Sequence, residues 1–166
     1  ILVAFAGGGR ARPGPTYELS EEDWRSTVDA NLTATFLALK CFLPGMIERR
    51  HGAVVTMAST AGRVPTPAPV PYAAAKAGIV ILSRHVAREV GRHGIRVNCV
   101  SPGTVLTERV RRNMPEDRRR ETEATTALGR LGTPEDIALA TLFLVSESAS
   151  WLTGVTLDIT GGLVAP

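Results

Sequence analysis

Lysine is scarce in this chain: of 19 basic residues only Lys40 and Lys76 are lysines and seventeen are arginines, so each lysine is conspicuous. Cysteine is scarcer than a disulfide frame needs. Cys41 and Cys99 fall at unrelated positions inside apolar segments, which predicts reduced, buried thiols. His51, His85 and His93 have no H-x-x-x-H or Cys/His spacing, so no metal site is expected. Aromatic residues make up 5% and are absent from the densest basic stretch, Arg109 to Arg120. There Arg109, Arg111, Arg112 and Arg118 to Arg120 alternate with Glu108, Glu116, Asp117, Glu121 and Glu123, a solvated helix face rather than a nucleic-acid surface. No apolar run reaches the roughly 18 residues that would predict a membrane span. With 44% hydrophobic and 21% charged residues, the 166-residue chain reads as one globular domain over 1–166, and a cytoplasmic location is expected for it.

A dinucleotide fingerprint is also missing where the sequence first invites it. The opening "ILVAFAGGGR" is a short apolar strand, Ile1 to Phe5, running into three glycines. Taking Gly7 and Gly9 as the first pair of G-x-G-x-x-G puts Arg12 in place of the third glycine, followed by Pro13, Gly14 and Pro15. That is a strand ending in a loop.

Beyond this loop, helices and strands alternate. Ser20 with Asp23 predicts a helix start near Glu21, and a second helix covers about 31–50, kinked or divided by Pro44. "GAVVTMAS" (52–59) is a buried strand, and the long helix from Tyr72 ends at Gly94. "IRVNCVS" (95–101) is a further strand, a charged helix covers about 107–123, Thr133-Pro134 opens another helix, and "VTLDIT" (155–160) is the last strand. Buried strands alternating with helices predict an α/β fold with a parallel sheet covered on both faces.

"PYAAAKAG" sets Tyr72 and Lys76 four residues apart, on one face of a helix. The bland reading is a core tyrosine beside a surface lysine. The chemical reading is an acid/base pair: a phenol brought from a pKa of about 10 toward 7 needs about 4 kcal/mol of preference for the phenolate. A cation about 5 Å away at an effective dielectric near 20 supplies roughly 3 kcal/mol. Upstream, "MASTAG" places Ser59 thirteen residues before the tyrosine.

Together "VVTMASTAG…PYAAAKAG", "NCVSPGTVLT", "NLTATF" and the tail "GRLGTPEDIALATLFLVSESASWLTGVTLDITGG" resemble the short-chain dehydrogenase/reductase family, in its 3-oxoacyl-[acyl-carrier-protein] reductase-like branch. The resemblance runs along essentially the whole chain. It implies a Rossmann-like doubly wound sheet, of which these residues form the part from the fourth strand onward, without the first three strands and the glycine-rich turn. It implies NAD or NADP as cofactor and a small carbonyl or alcohol substrate. Tyr72 would be the general acid/base, Lys76 would ease that proton transfer and hydrogen-bond the nicotinamide ribose, Ser59 would orient the substrate oxygen, and Asn31 would hold a proton-relay water. Ala6 and Gly7 would approach the ribose side, while Pro102, Gly103, Val105 and Thr107 would line the nicotinamide. The segment after Thr107 would be a substrate lid. A homo-oligomer, tetramer or dimer, is implied by the same resemblance.

Two departures stand out. The family's N-N-A-G reads Ala4-Phe5-Ala6-Gly7, placing an aromatic where an asparagine belongs, and Thr160 replaces an Asp or Asn before the last two glycines. The reading is therefore an NAD(P)-dependent oxidoreductase interconverting a ketone or 3-oxoacyl group and its alcohol. The alternative is a catalytically silent, shortened relative acting as an oligomerisation or binding module. A sugar epimerase or dehydratase shares the Tyr/Lys pair but not this short ending.

Overall fold

The computed structural model describes residues 1–8 and 11–163. Gly9, half of the rejected fingerprint pair, lies outside the described residues. Four parallel strands, β1 (Leu2–Ala4), β2 (Gly52–Met57), β3 (Ile95–Pro102) and β4 (Thr156–Ile159), lie side by side in the order of the sequence. Their register runs Leu2↔Val54↔Val97 and Cys99↔Thr156. Between them come α1 (Glu21–Val28), a π-helical turn (Asp29–Thr33) and α2 (Ala34–Glu48), then α3 (Val70–Val90), then α4 (Glu108–Asn113), α5 (Glu116–Thr125) and α6 (Pro134–Val145).

The unbroken apolar strands are explained by burial on both faces. Val54 and Val97 pack with Leu39 and Met46 of α2 and Val86 and Val90 of α3, while Val55 and Val100 pack on Ile137 and Leu144 of α6. Buried polar groups pin the layers. The Thr56 and Ser83 hydroxyls lie 2.6 Å apart between β2 and α3. Asn98 donates to the Leu152 carbonyl at 2.9 Å and accepts from the Val155 N–H at 3.2 Å, fastening the approach to β4.

Several expectations hold at the level of single atoms. Ser20 accepts from the Asp23 N–H at 3.1 Å, Gly94 is left-handed at φ 73°, and Thr133 caps α6 in a reciprocal box with Asp136. Arg130 also donates to Asp136, and with the Thr133 donors it holds that carboxyl well below the usual carboxylate range.

Others are corrected. The helices expected near 21 and over 31–50 are continuous through the π turn, so one helix runs from Glu21 to Glu48. That helix is long and apolar enough to cross a membrane by length and composition, contrary to the run-length reading. One side of it nevertheless packs inside the domain through Thr27, Asn31, Thr35, Leu39 and Met46. Pro44 does not divide α2, because it sits on the exposed side, where the Lys40 carbonyl that loses its partner faces water. Cys41 is exposed and only Cys99 is buried: an apolar neighbourhood in sequence does not say which face of a helix turns inward. The charged helix breaks in two at Met114-Pro115, since a residue before proline is held out of the helical region, here at φ −97° and ψ 117°.

Candidate active site

All four strands end at one edge of the sheet, and the segments that leave them converge there, as ligand sites of open parallel sheets do. After β2 the chain turns into a 3-10 turn over Thr60–Gly62 capped by Ser59, whose oxygen accepts from the Ala61 N–H at 3.3 Å. Among the described residues no acceptor takes the Ser59 proton. Pro69 then starts α3 in extended geometry, and the first turns of that helix carry Tyr72 and Lys76.

The bland reading of that pair is inverted. Tyr72 is half-buried and Lys76 is only 3% exposed. The Lys76 Nζ lies 5.5 Å from the centre of the Tyr72 ring and donates to the Met57 carbonyl at 2.9 Å. Burial pushes the ammonium pKa down to about 8, against a smaller upward pull from the Cys99 thiol. A buried cation held by one carbonyl has donors to spare for a ligand.

Asn31, fully buried in the π turn, clamps the end of the first strand segment. Its Nδ2 donates to the Gly8 and Thr27 carbonyls, and its Oδ1 accepts from the Gly8 N–H at 3.3 Å. The turn must carry glycine next to this clamp. A methyl group on Gly7 would stand 2.7 Å from Asn31 Oδ1 and 3.3 Å from Lys76 Nζ, so both polar atoms point at the same small space. Gly62 is equally constrained: a methyl there would meet the α3 backbone at Ala77 N and Lys76 C, each at 2.6 Å. Small residues thus let the turn after Ser59 lie flat on the helix that carries the lysine.

Two adjoining clefts share Ser59, Tyr72 and Gly103. One, of about 360 Å³, is walled by Phe5, Met57, Pro102, Val105, Thr107 and Ile137. The other, of about 670 Å³, opens between the 64–69 loop and the α4–α5 segment, with Thr104, Met114 and Arg118 among its lining residues. Val105 is fixed by an isolated parallel bridge to Gly132, and Thr107 caps α4 by accepting from the Val110 N–H at 3.2 Å.

Known proteins place this arrangement. A family model described as enoyl-(acyl carrier protein) reductase matches residues 1–164. A 3-oxoacyl-[acyl-carrier-protein] reductase of Chlamydia muridarum is 38% identical over 98% of this chain and 65% of its own length. The chain belongs to the short-chain dehydrogenase/reductase family. Another member, the inactive 2-(S)-hydroxypropyl-CoM dehydrogenase 2 of Xanthobacter autotrophicus, is 43% identical over 95% of this chain and 70% of its own. Among solved members, a 3-oxoacyl-[acyl-carrier protein] reductase with bound NAD from Brucella melitensis superposes with a TM-score of 0.90 at 35% identity, over 98% of this chain and 62% of that one. The chain therefore spans about two thirds of the length of these short-chain dehydrogenase/reductases.

Of the residues singled out from the sequence, Ser59, Tyr72, Pro102, Gly103, Val105 and Thr107 share the two clefts, and Asn31 and Lys76 meet beside Gly7. Ala6 is exposed just beyond β1. The asparagine expected to hold a water has both its amide protons committed to backbone carbonyls, leaving a lone pair of Oδ1 as its free function. Sequence reading missed the wall residues Phe5, Met57 and Ile137. Phe5 had a signal, as the aromatic that breaks the family pattern; Ile137 had only its place in the first turn of a capped helix.

Proposed function

We propose that this chain carries the catalytic part of an NAD(P)-dependent oxidoreductase that interconverts a ketone, such as a 3-oxoacyl group, and its secondary alcohol. The observation that carries the reading is a hydroxyl, a phenol and a buried ammonium gathered where parallel strands end. The pocket fits a flat cofactor ring on its own evidence. The narrower cleft is apolar, and at the same strand ends Gly7, whose methyl would collide with Asn31, lies beside a lysine with unused donors. When bound, the nicotinamide supplies or accepts the hydride.

The chain's own residues then do the rest. Ser59, its oxygen already held by Ala61, donates its proton to the substrate oxygen and fixes it near the phenol. Tyr72 donates a proton to that oxygen in reduction and removes it in oxidation. Lys76, charged below about pH 8, favours the phenolate left behind and offers its free N–H groups to the ribose. Asn31 is a positioning residue: it holds the Gly7–Gly8 turn open and presents one Oδ1 lone pair to a water next to Lys76. A cytoplasmic homo-oligomer acting on a small carbonyl compound is the corresponding whole.

The rival reading, a silent binding module, is supported by the inactive designation of the Xanthobacter relative. Tyr72→Phe in the full-length protein separates the two. The enzyme reading expects carbonyl reduction in the parent and a loss of about 10²–10⁴-fold in kcat in the variant, with an unchanged circular dichroism spectrum. Equal turnover by the two proteins would remove Tyr72 from the chemistry; reduction by neither of a panel of 3-oxo esters and thioesters would favour the silent module.

A further inference from the structure

The α4–α5 segment holds six arginines, and three of them are neutralised within their own helix. Arg112 pairs with Glu108, Arg119 with Glu116 and Glu123, and Arg120 with Glu116. Arg109, Arg111 and Arg118 have no carboxylate within ion-pair distance among the described residues. Arg109 and Arg118 are on different helices, yet both line one shallow, open recess of about 320 Å³, completed by Thr104, Val110, Asn113 and Met114. No acidic side chain lines it. Thr104, Met114 and Arg118 also line the larger cleft beside Ser59 and Tyr72, so the recess adjoins the space where a substrate would lie. Glu121, the one carboxylate lining that larger cleft, does not line the recess.

Two guanidinium groups, a hydroxyl and a side-chain amide facing the same small volume are the donor set that recognises an oxyanion. We propose that Arg109 and Arg118 form an oxyanion subsite, and that the substrate reduced at Tyr72 carries an anionic group, carboxylate or phosphate, on the side of the molecule away from the cofactor. The inference rests on the hydride-transfer reading for the identity of the reacting group, but the subsite itself does not depend on it. It gives two of the lid arginines a task that a merely solvated helix face would not require. Charge-assisted contacts of this kind make the anionic substrate's KM, rather than kcat, the sensitive quantity, since they hold a part of the molecule that does not change during reaction.

The test uses full-length parent, Arg109→Gln, Arg118→Gln and the double variant, with ethyl acetoacetate as neutral substrate, acetoacetate as carboxylate and acetoacetyl-CoA as phosphate-bearing thioester. The expectation is a KM for one anionic substrate raised about tenfold by each substitution and more in the double variant. Turnover of the neutral ester stays within twofold. Which anion responds tells a carboxylate source from a phosphate source. Phosphorus NMR titration with inorganic phosphate gives a readout free of catalysis, with binding expected in the parent and lost in the double variant. Equal changes for neutral and anionic substrates, or phosphate binding unaltered by both substitutions, would overturn the subsite. Phosphate binding lost in the double variant, with no carbonyl reduced by the parent, would leave the subsite standing and defeat the hydride-transfer reading instead.

Discussion

The first turns of α3 and the whole of α5 face each other across the substrate-side cleft, and they are built on opposite principles. α3 buries Pro71, Ala75, Lys76 and Ile79 within its first ten residues, and its lysine is locked to the Met57 carbonyl. α5 buries none of its ten residues and is held together by charge pairs along its own surface. A proton-transfer group has to be held in place by packing and must carry an altered charge equilibrium, which only burial provides. α5 needs no such packing, because its charge pairs form on a solvated surface. The difference shows where stability has been given up for chemistry and where it has not.

Lys76→Met should break the α3 side most severely. Loss of the ammonium is expected to lower kcat by at least 10²-fold, as for other removed acid–base partners. Stability should move the opposite way. The folded-state pKa of about 8 lies below the unfolded value near 10.5, so between those values the unfolded chain binds more protons and stability rises with pH. Below pH 8 the full desolvation cost is present, on the order of 3 kcal/mol. The methionine variant should therefore be more stable than the parent at pH 7, reduced by about 1 kcal/mol for the lost hydrogen bond, and should lack the parent's rise between pH 8 and 10.5. Urea melts at pH 7 and pH 10 measure both quantities. A destabilised variant with the parent's pH slope would show that Lys76 is not a buried cation.

Gly62→Ala probes the same wall without touching a reacting group. Its methyl would press on helix backbone at 2.6 Å, which cannot rotate away as a side chain can. The expected cost is about 1–3 kcal/mol, with reduced turnover because the displaced segment carries Lys76. Gly14→Ala, where no atom stands within 4 Å, is the control and should stay within about 0.5 kcal/mol. Equal melting midpoints for the two variants would mean that the turn after Ser59 is loosely seated.

This contrast also explains what was legible in the sequence. The strands, the caps at Ser20 and Thr133 and the left-handed Gly94 are local events written in a few adjacent residues, and each was readable. Tyr72 and Lys76 stood out as a pair by their four-residue spacing on one helix, whereas Ser59 joined them only through the family resemblance. The burial of Lys76 was not, because it depends on Met57, Gly7 and Gly62 closing around it from three separate segments. The π turn at Asn31 hid for a related reason: its extra residue per turn answers to the tertiary clamp on Gly8 rather than to any breaker in the sequence. Arg109 and Arg118 differ from Arg112, Arg119 and Arg120 in lacking a glutamate four positions away on their own helix, but that the two helices bring them to one recess is a tertiary fact.

On the lid side the smallest effect is expected, and it is the sharper test of the comparison. Arg112 and Glu108 are both largely exposed and 3.3 Å apart, one turn from each other on α4. A pair of this kind gains little in water, because its attraction is screened and two long side chains must be ordered to make it. Arg112→Ala should shift the urea midpoint by no more than about 0.5 kcal/mol and leave KM and kcat unchanged for neutral and anionic substrates alike. Arg118, six positions along, would by contrast alter KM without altering stability. If Arg112→Ala raised the anionic KM as much as Arg118→Gln, the lid would act through its overall charge rather than through a built recess, and the division between paired and unpaired arginines would lose its meaning.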